Sequence, residues 1–414
     1  MIFRSVGESH YQLVIEQFSV TMDVERLRRD RQELVGELTV CCTLAGAHTV
    51  TPDGLIHLAD FNLSSAVARN TRAKMLRERS EADLDWGTML EQLCLQVIRA
   101  ERIGTPSQPL DTYERRTDHA DWQVHGWRLP RHHPSILFGD GGSLKSYLAL
   151  YVAGTIAHQG AAVLYCDWEL AGEDHHERLR SLFGAALPRV HYLRCDRPLV
   201  EESDRVRREA GRLGVEYLIC DSVGFATPGP PESAEMAVGY FRAIRQIGIG
   251  GSLHLAHSTK ATTDDPHRKP TFRGLKPFGS AFWHNSARST WYVQRSADEA
   301  KHVIGLFHQK ANTGPMLPAV GLSVRFGPDA TVLTREELAD YHDLSVGLPL
   351  RQRITAALKD GPKTVASIAE EIGAKLDTVE KTLKRSTRAF TSVIKSSDGI
   401  HRWALLDDRH GGPH

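Results

Sequence analysis

A glycine-rich turn between two apolar segments constrains the fold of this chain more than any other feature. The stretch PSILFGDGGSLKSYLALYVAGTIAHQG, residues 134–160, predicts a strand, a tight turn and a helix in direct succession. A phosphate-binding P-loop reads G-x-x-x-x-G-K-[ST], and Leu144 stands where its second glycine belongs. Leu144 also breaks the dinucleotide-binding pattern G-x-G-x-x-G. The stretch therefore predicts an α/β unit but leaves open which phosphate it binds.

Lys145 and Ser146 favour the P-loop. In that loop the lysine bridges the β- and γ-phosphates and the hydroxyl ligates Mg²⁺, whereas a dinucleotide fold uses neither. The dinucleotide interpretation retains Asp167, which ends the next apolar run where a ribose-binding acid would sit. Leu144 keeps its amide, so it changes conformation rather than charge. We expect bound ATP and Mg²⁺, with a purely structural turn as the alternative, and the contacts would come from Gly139, Gly141, Gly142, Ser143, Leu144, Lys145 and Ser146.

Apolar runs alternate with amphipathic segments over residues 129–335, which predicts an α/β core with a parallel-rich sheet. The run VEYLIC in this region ends at Asp221. An acid at the carboxyl end of a buried parallel strand lies beside the phosphate loop, where ligands gather. We therefore predict that Asp221 holds Mg²⁺ together with Ser146; the alternative is that Asp221 caps the next turn.

The flanking regions predict further domains. Residues 1–128 contain strand and helix patterns without a chemical motif, so we expect an α+β module that packs, oligomerises or contacts a partner. A linker is expected at 336–349. Residues 350–405 predict three short helices and a hairpin that turns at Asp398-Gly399, the outline of a winged helix-turn-helix. A disordered tail is expected at 406–414.

Charge is balanced over the whole chain but not in its C-terminal region. Lys and Arg total 51, as do Asp and Glu, so net charge indicates no nucleic-acid or membrane partner. Residues 351–405 contain 11 Lys and Arg against 6 Asp and Glu. This bias fits a recognition helix on duplex DNA, although winged helices also contact proteins. The candidate phosphate contacts are Lys381, Lys384, Arg385 and Arg388.

Cysteine usage and apolar run lengths predict a cytoplasmic protein. The six cysteines lack C-x-x-C spacing, which favours free thiols over zinc or disulfides. The N-terminus has no signal-peptide pattern, and no apolar run is long enough to span a membrane.

The order of these motifs resembles the RecA-like ATPases, and within them the RepA-type plasmid and phage hexameric helicases and their DnaB-type relatives. The resemblance covers residues 129–335. In that group the strand after the P-loop helix ends in a catalytic glutamate, followed by an arginine-leucine pair. The segments YCDWEL and HERLRSL are similar, which implies that Glu169 is the base that polarises the attacking water, with Glu173 as the rival candidate.

The same resemblance implies groups that act on the γ-phosphate. His257, in an H-x-x-K setting, would sense it, and Arg288 would be an arginine finger that reaches a neighbouring subunit. Lys310 looks like the basic group near the last core strands, and we count it among the nucleotide-binding candidates. Ala311 stands where DnaB-type proteins have an arginine, which is a departure from the family. A finger acting between subunits implies a homo-oligomer, expected to be a hexamer.

A long polar, basic loop spans residues 259–276. In this family loops here face the central channel and track single-stranded DNA, and phosphate contacts of that kind need no sequence specificity. A mobile surface loop is the alternative. The candidate DNA contacts are Lys260, Arg268, Lys269, Arg273 and Lys276.

These inferences predict a Mg²⁺-dependent ATPase with a RecA-like core that couples hydrolysis to single-stranded DNA, as a replicative helicase does. One alternative is a recombinase-like ATPase that forms filaments. Another is a DNA-binding regulator in which ATP acts only as a switch.

Overall fold

The computed structural model describes residues 1–7, 9–80, 84–114, 116–117, 120–258, 272, 274–297, 301–394 and 401–406. The chain divides into two units, Met1–Thr117 and Asp118–His414. This division falls before residue 128, where the sequence predicted the first module to end. The reason is that the apolar side chains of residues 122–129 pack into the core of the second unit.

An antiparallel sheet and two helices form the first unit. Its five described strands lie in chain order, β1 (Ile2–Gly7), β2 (His10–Ile15), β3 (Val20–Asp30), β4 (Glu33–Cys42) and β5 (Leu55–Asn62). A short 3-10 turn, Glu16–Phe18, joins β2 to β3. Helices α1 (Ala66–Arg79) and α2 (Trp86–Ile103) begin after capping side chains that accept backbone N–H groups, and Leu110–Thr112 forms a second 3-10 turn. Alternate strand residues are buried, which gives the sheet one core face.

Charged residues form the second half of β3. β3 continues to Asp30, and Glu25 pairs with Glu37 on β4. Backbone pairing tolerates charge there because the side chains of this end point towards solvent. Strands β1 and β5 were not predicted from the sequence.

A nine-stranded sheet forms the centre of the second unit within the described residues, in the order β10-β9-β11-β12-β8-β13-β14-β15-β16. The strands are β8 (Pro134–Gly139), β9 (Val163–Asp167), β10 (Val190–Arg194), β11 (Tyr217–Asp221), β12 (Gly251–His257), β13 (Ser289–Arg295), β14 (His302–Ala311), β15 (Val320–Phe326) and β16 (Thr331–Glu336). The pairings from β10 to β13 are parallel and those from β13 to β16 antiparallel. The predicted α/β class with a parallel-rich sheet is confirmed.

Helices cover both faces of this sheet, and each face has its own apolar core. The helices are α3 (Lys145–His158), α4 (Gly172–Phe183), α5 (Leu199–Leu213), α6 (Ala234–Ile247) and α7 (Ala281–Ser286). The parallel strands β9 and β11 are apolar up to their final aspartates because neither face of these strands meets water. No helix in the described part of the chain has both the length and the apolar character needed to cross a membrane.

The antiparallel pair β15 and β16 and a small hairpin were not predicted from the sequence. The hairpin consists of β6 (Trp122–Val124) and β7 (Trp127–Leu129), and it buries both tryptophan rings. Strands this short, or half exposed like β16, give weak periodic signals.

The C-terminal elements share a separate apolar core. After the 3-10 turn Leu338–Asp340 come α8 (His342–Ser345), α9 (Leu350–Ala357), α10 (Val365–Glu371), α11 (Leu376–Arg385) and a hairpin of β17 (Phe390–Ile394) and β18 (His401–Leu405). Three helices and a hairpin thus stand where expected, while the winged-helix assignment stays a prediction. The Asp398-Gly399 turn and residues 407–414 lie outside the described residues.

Two helical glycines make a matched pair for testing the packing of α3. A Cβ on Gly154 would approach the Phe183 ring to 2.4 Å and Pro188 to 2.9 Å. The Phe183 ring stacks on Tyr151, so it has little room to move. We expect Gly154→Ala to lower the free energy of unfolding by about 1–3 kcal/mol, because overpacking exceeds the gain in helix propensity.

Gly211 in α5 provides the control, since a Cβ there would meet nothing within 4 Å. Gly211→Ala should raise the free energy of unfolding by about 0.5–1 kcal/mol. Urea denaturation of both variants measures the difference, and a stabilised Gly154→Ala variant would contradict the packing described here.

Candidate active site

Four parallel strands end at one edge of the large sheet, and their ends carry most of the predicted site. Asp221 at the end of β11 pairs in register with Asp167 at the end of β9. His257 at the end of β12 pairs in register with Gly139 at the end of β8. The glycine-rich loop, the predicted metal ligand and the predicted γ-phosphate sensor therefore meet at this edge, where open α/β sheets bind ligands.

The loop between β8 and α3 contains two residues with positive φ. Gly142 has φ 73°, and Leu144 has φ 64° and ψ 24°. Leu144 thus adopts the left-handed conformation that a glycine would adopt more easily, at a cost of about 1–2 kcal/mol. Its half-buried side chain packs against the core beneath α3, which offsets part of this cost. Gly139 is required for another reason, because a Cβ there would stand 2.4 Å from the Val293 carbonyl oxygen.

The N-terminus of α3 is open to an anion. Leu144 occupies the N-cap position and provides no side-chain hydrogen bond to the first-turn N–H groups. A Cβ on Gly141 or Gly142 would meet nothing within 4 Å, so free space lies next to the loop backbone. Unpartnered N–H groups and the helix dipole together favour phosphate at such a position. These features fit a nucleotide phosphate.

Lys145 folds back onto the loop. Its Nζ donates hydrogen bonds to the carbonyl oxygens of Gly139 at 3.0 Å and Asp140 at 2.8 Å. Burial lowers the pKa of Lys145, and the nearby carboxylates of Asp221, Asp140 and Glu169 oppose that change. The ammonium is therefore held where it could exchange carbonyl oxygens for phosphate oxygens.

The two predicted metal ligands, Asp221 and Ser146, lie close together. Asp221 is buried and accepts a hydrogen bond from the Tyr165 hydroxyl at 2.7 Å and another from Ser146. Burial, the largest contribution, and the negative charges of Asp167 and Glu169 together raise the pKa of Asp221 to about 6, although the two hydrogen bonds lower it. The described residues hold no cluster of three His, Cys, Asp or Glu side chains that could bind a metal alone. A hydroxyl and one carboxylate suit Mg²⁺ that is also bound by substrate phosphates.

Glu169 lies in the turn between β9 and α4, close to Asp221. Its carboxylate accepts a hydrogen bond at 2.5 Å from the hydroxyl of Ser222, the residue after Asp221. Glu173 is exposed on the first turn of α4. Both glutamates line an open cavity of about 1120 Å³, but Glu169 also acts on the Lys145 ammonium. The geometry favours Glu169 as the base.

Asp167 does not serve a ribose. It is fully buried, and its carboxylate accepts the N–H groups of Glu169 and Leu170 and contacts the His175 ring. Both carboxylate oxygens of Asp167 already accept hydrogen bonds inside the protein. Asp167 is therefore not available to bind a ribose, as the dinucleotide interpretation requires.

His257 stands next to the loop. The N–H of the following residue, Ser258, donates to the Gly139 carbonyl oxygen at 3.2 Å, and the Ser258 hydroxyl hydrogen-bonds to the Asp140 carboxylate. Partial burial and the Lys145 charge lower the pKa of His257, against the opposing effect of Glu169 and Asp140. The imidazole is therefore neutral at neutral pH and available as a hydrogen-bond partner.

Arg288 and Lys310 lie at the opposite edge of the sheet. The Arg288 N–H donates to the Pro134 carbonyl oxygen at the start of β8, a strand about 17 Å long. Lys310 donates to the carbonyl oxygens of His284 at 2.7 Å and Ala287 at 2.8 Å, and so holds the end of α7. The structure does not bring either residue to the loop of the same chain. A nucleotide role for them would need a second subunit.

The predicted DNA contacts are only partly described. Lys260, Arg268, Lys269 and Arg273 lie outside the described residues. Lys276 is exposed, and two residues later the Phe278 N–H donates to the His257 carbonyl oxygen at 2.8 Å, so the loop returns beside the site.

On α11, two of the predicted cations form exposed ion pairs along the helix, Lys381 with Asp377 at 2.7 Å and Lys384 with Glu380 at 2.6 Å. Such pairs contribute little to stability and can open for a phosphate. Arg385 is exposed at the end of α11.

One family model matches part of this chain. Residues 99–262 match the family model described as an AAA domain, a range that includes the loop, Glu169, Asp221 and His257. Within the matched range, a glycine-rich loop leads from β8 into α3 in an α/β core with a parallel-rich sheet. The match supports ATPase chemistry at this edge and does not extend to Arg288, Lys310 or the C-terminal helices. No curated protein matches the chain significantly.

Solved structures that resemble part of this chain are distant. One of them, an isolated ATPase domain, is 12% identical, with 47% of this chain and 81% of that chain covered and a TM-score of 0.40. A DnaB-like replicative helicase is 13% identical, with 49% and 57% covered and a TM-score of 0.41. A KaiC-like protein from Pyrococcus horikoshii is 13% identical, with 50% and 91% covered and a TM-score of 0.37. Likeness at this level adds no argument about function.

Substitutions of Leu144 test whether its left-handed backbone is strained. Leu144→Gly removes the left-handed backbone strain, which stabilises the folded state. The variant also loses the packed side chain, and its unfolded chain is more flexible, which destabilises the folded state. Because these effects oppose each other, the free energy of unfolding should change by less than about 1 kcal/mol. Leu144→Ala keeps the strain and loses the packing, and should be destabilised by about 1–2 kcal/mol. Both variants should bind an ATP analogue as wild type does, because the amides are unchanged. A tenfold loss of affinity in Leu144→Gly would show that the side chain shapes the loop.

The buried Asp221 carboxylate should make the stability of the protein depend on pH. The folded-state pKa of about 6 lies above the ordinary value of 3.8, so the folded state loses stability as pH rises from about 4 to 6 and does not regain it above 6. Without nucleotide, Asp221→Asn should therefore raise the free energy of unfolding by up to about 3 kcal/mol at pH 8.

This gain should shrink as pH falls through 6, which denaturant titrations at pH 5 and pH 8 can measure. Asp196→Asn is the control, since the Asp196 side chain is 74% exposed and its removal should change little at either pH. Equal destabilisation of Asp221→Asn at both pH values would contradict the prediction.

Proposed function

We propose that this protein is a Mg²⁺-dependent ATPase that couples hydrolysis to single-stranded DNA, as a RepA-type replicative helicase does. One observation supports the ATPase part above all others. Lys145, Ser146, Glu169 and Asp221 come from three separate segments and meet at the carboxyl edge of one parallel sheet. A structural glycine turn alone would not require three charged groups at one partly buried place.

Each residue has a distinct role in this proposal. The α3 N-terminus and Lys145 bind the β- and γ-phosphates, while Ser146 and Asp221 hold Mg²⁺, which neutralises phosphate charge when bound. Glu169 accepts a proton from the attacking water, and the Ser222 hydroxyl orients its carboxylate. His257 contacts the γ-phosphate as a neutral imidazole.

The DNA part of the proposal relies on the loop at 259–276. Its described end, Lys276 to Phe278, returns next to His257, so a strand of DNA held there would lie near the γ-phosphate side of the site. Lys260, Arg273 and Lys276 would contact phosphates without reading sequence. The C-terminal helix α11, through Lys381, Lys384 and Arg385, would bind duplex DNA if the winged-helix prediction holds.

The position of Arg288 supports an assembly of several subunits in this proposal. This side chain is exposed at the sheet edge opposite the P-loop of its own chain. It could therefore act on the nucleotide of a neighbour, with Lys310 beside it holding α7. We propose a homo-oligomer, with six subunits as in the helicases that the sequence resembles.

ATP hydrolysis with and without single-stranded DNA tests the proposal. Lys145→Ala should abolish turnover, because the phosphate-bridging cation is lost. Glu169→Gln should lower kcat by about 10²–10⁴-fold while ATP binding stays within about threefold of wild type, since only proton transfer is removed. Single-stranded DNA should stimulate the wild-type rate.

Glu173→Gln separates the two candidate bases and should keep at least half of the wild-type kcat. Normal turnover in Glu169→Gln together with a large loss in Glu173→Gln would move the base to α4. Tight ATP binding without any turnover would instead favour a DNA-binding regulator that uses ATP as a switch.

A further inference from the structure

The turn that carries Glu169 is held by one buried carboxylate. One oxygen of Asp167 accepts the N–H of Glu169 at 2.7 Å, and the other accepts the N–H of Leu170 at 3.2 Å. These two bonds fix the backbone on both sides of the Glu169 side chain. The direction in which Glu169 points therefore depends on where the Asp167 carboxylate stands.

His175 holds that carboxylate from α4. Its side chain is buried, and its Nε2 hydrogen-bonds to the same Asp167 oxygen that accepts the Leu170 N–H. The ring packs against Tyr165 and Tyr192, with centroid distances of 4.7 Å and 5.6 Å. An imidazole enclosed in this way cannot swing away from Asp167.

The second ring nitrogen of His175 indicates that a histidine is at this position for more than packing. Nδ1 is buried and has no hydrogen-bond partner within the described part of the chain. A buried polar atom left in this state is unfavourable, and an apolar side chain such as leucine would avoid it. The position thus carries an energetic cost that packing alone does not explain, whereas the hydrogen bond to Asp167 does.

The same cluster reaches the metal ligand. Tyr165, in ring contact with His175, donates its hydroxyl to Asp221 at 2.7 Å. The Trp168 N–H, one residue before Glu169, donates to the Asp221 carbonyl oxygen at 2.9 Å. The segment that carries the base is thereby tied to the strand that carries the metal ligand.

We propose that Asp167 and His175 form a positioning pair that orients Glu169 towards the attacking water. Neither side chain touches the nucleotide; both act through the turn at residues 167–170. This inference rests on the proposed ATPase function with Glu169 as its base. It predicts a loss of kcat with little change in ATP binding.

The experiment compares three single variants in the full-length protein. His175→Leu removes the hydrogen bond and should lower kcat by about 10–100-fold, the range seen when a partner that orients an active-site ligand is lost, with KM for ATP changed less than about twofold. His175→Gln keeps an N–H donor and should return kcat to within about threefold of wild type. His176→Leu is the matched control, since His176 is the adjacent exposed residue, and it should behave as wild type.

Asp167→Asn tests the pair from the other side, and also covers the case in which His175→Leu does not fold. Its amide nitrogen cannot accept an N–H group, so one bond of the turn is lost and kcat should fall in the same range. The double variant Asp167→Asn/His175→Leu should lose no more than the worse single variant, because the two residues act as one unit.

Three outcomes would overturn the pair. These are wild-type kcat in both His175→Leu and Asp167→Asn, equal impairment of His175→Gln and His175→Leu, or a rise in KM that accounts for the loss. Failure of the proposed function looks different: wild type would show no ATPase activity, or Glu169→Gln would retain full turnover. The thermal midpoint of each variant confirms that the assay measures folded protein.

Discussion

The parallel register of β8, β9, β11 and β12 is the constraint on which the rest of this structure depends. Backbone hydrogen bonds set Asp221 level with Asp167 and His257 level with Gly139. A shift of one residue would turn each side chain to the other face, and both faces are packed with apolar side chains, so the register cannot slip. Every charged group of the candidate site stands at a strand end, or in the loop or first helical turn that follows one, and this register positions them.

The site gathers charge at the cost of stability. Burial lowers the pKa of Lys145 and raises that of Asp221, which means that each ionised form is less favourable here than in water. Leu144 adds backbone strain, and His175 leaves a buried nitrogen without a partner in the described part of the chain. Departures from a well-packed interior that concentrate in one place are typical of functional sites rather than of cores. The apolar layers above and below the sheet supply the stability that these features reduce.

Sequence patterns located the parts of the core that have strong local signals. Continuous apolar runs predicted the parallel strands, and glycine with Lys145-Ser146 predicted the loop. Strands with one wet face were harder to find: β3 continues through charged residues, and β15 and β16 pair antiparallel at the edge of the sheet. Asp167 was considered as a ribose-binding acid in the dinucleotide interpretation. Its position at a strand end indicates that it lies near the ligand-binding edge of the sheet, but it does not indicate where the carboxylate points. The sequence does not single out His175, because it is one of two adjacent histidines and only its burial distinguishes it from His176.

The sequence by itself determined which local conformations this chain can adopt: a phosphate loop before α3, apolar strands that need cover on both faces, and acids at their carboxyl ends. These follow from residue type and spacing, which act over a few residues. Only the tertiary structure decided which distant residues meet. It placed Glu169 beside Ser222, enclosed Asp167 with His175, and left Arg288 and Lys310 at the far edge of the sheet. The physical reason is that strand order and register are fixed by packing across the whole sheet, and no local pattern encodes them.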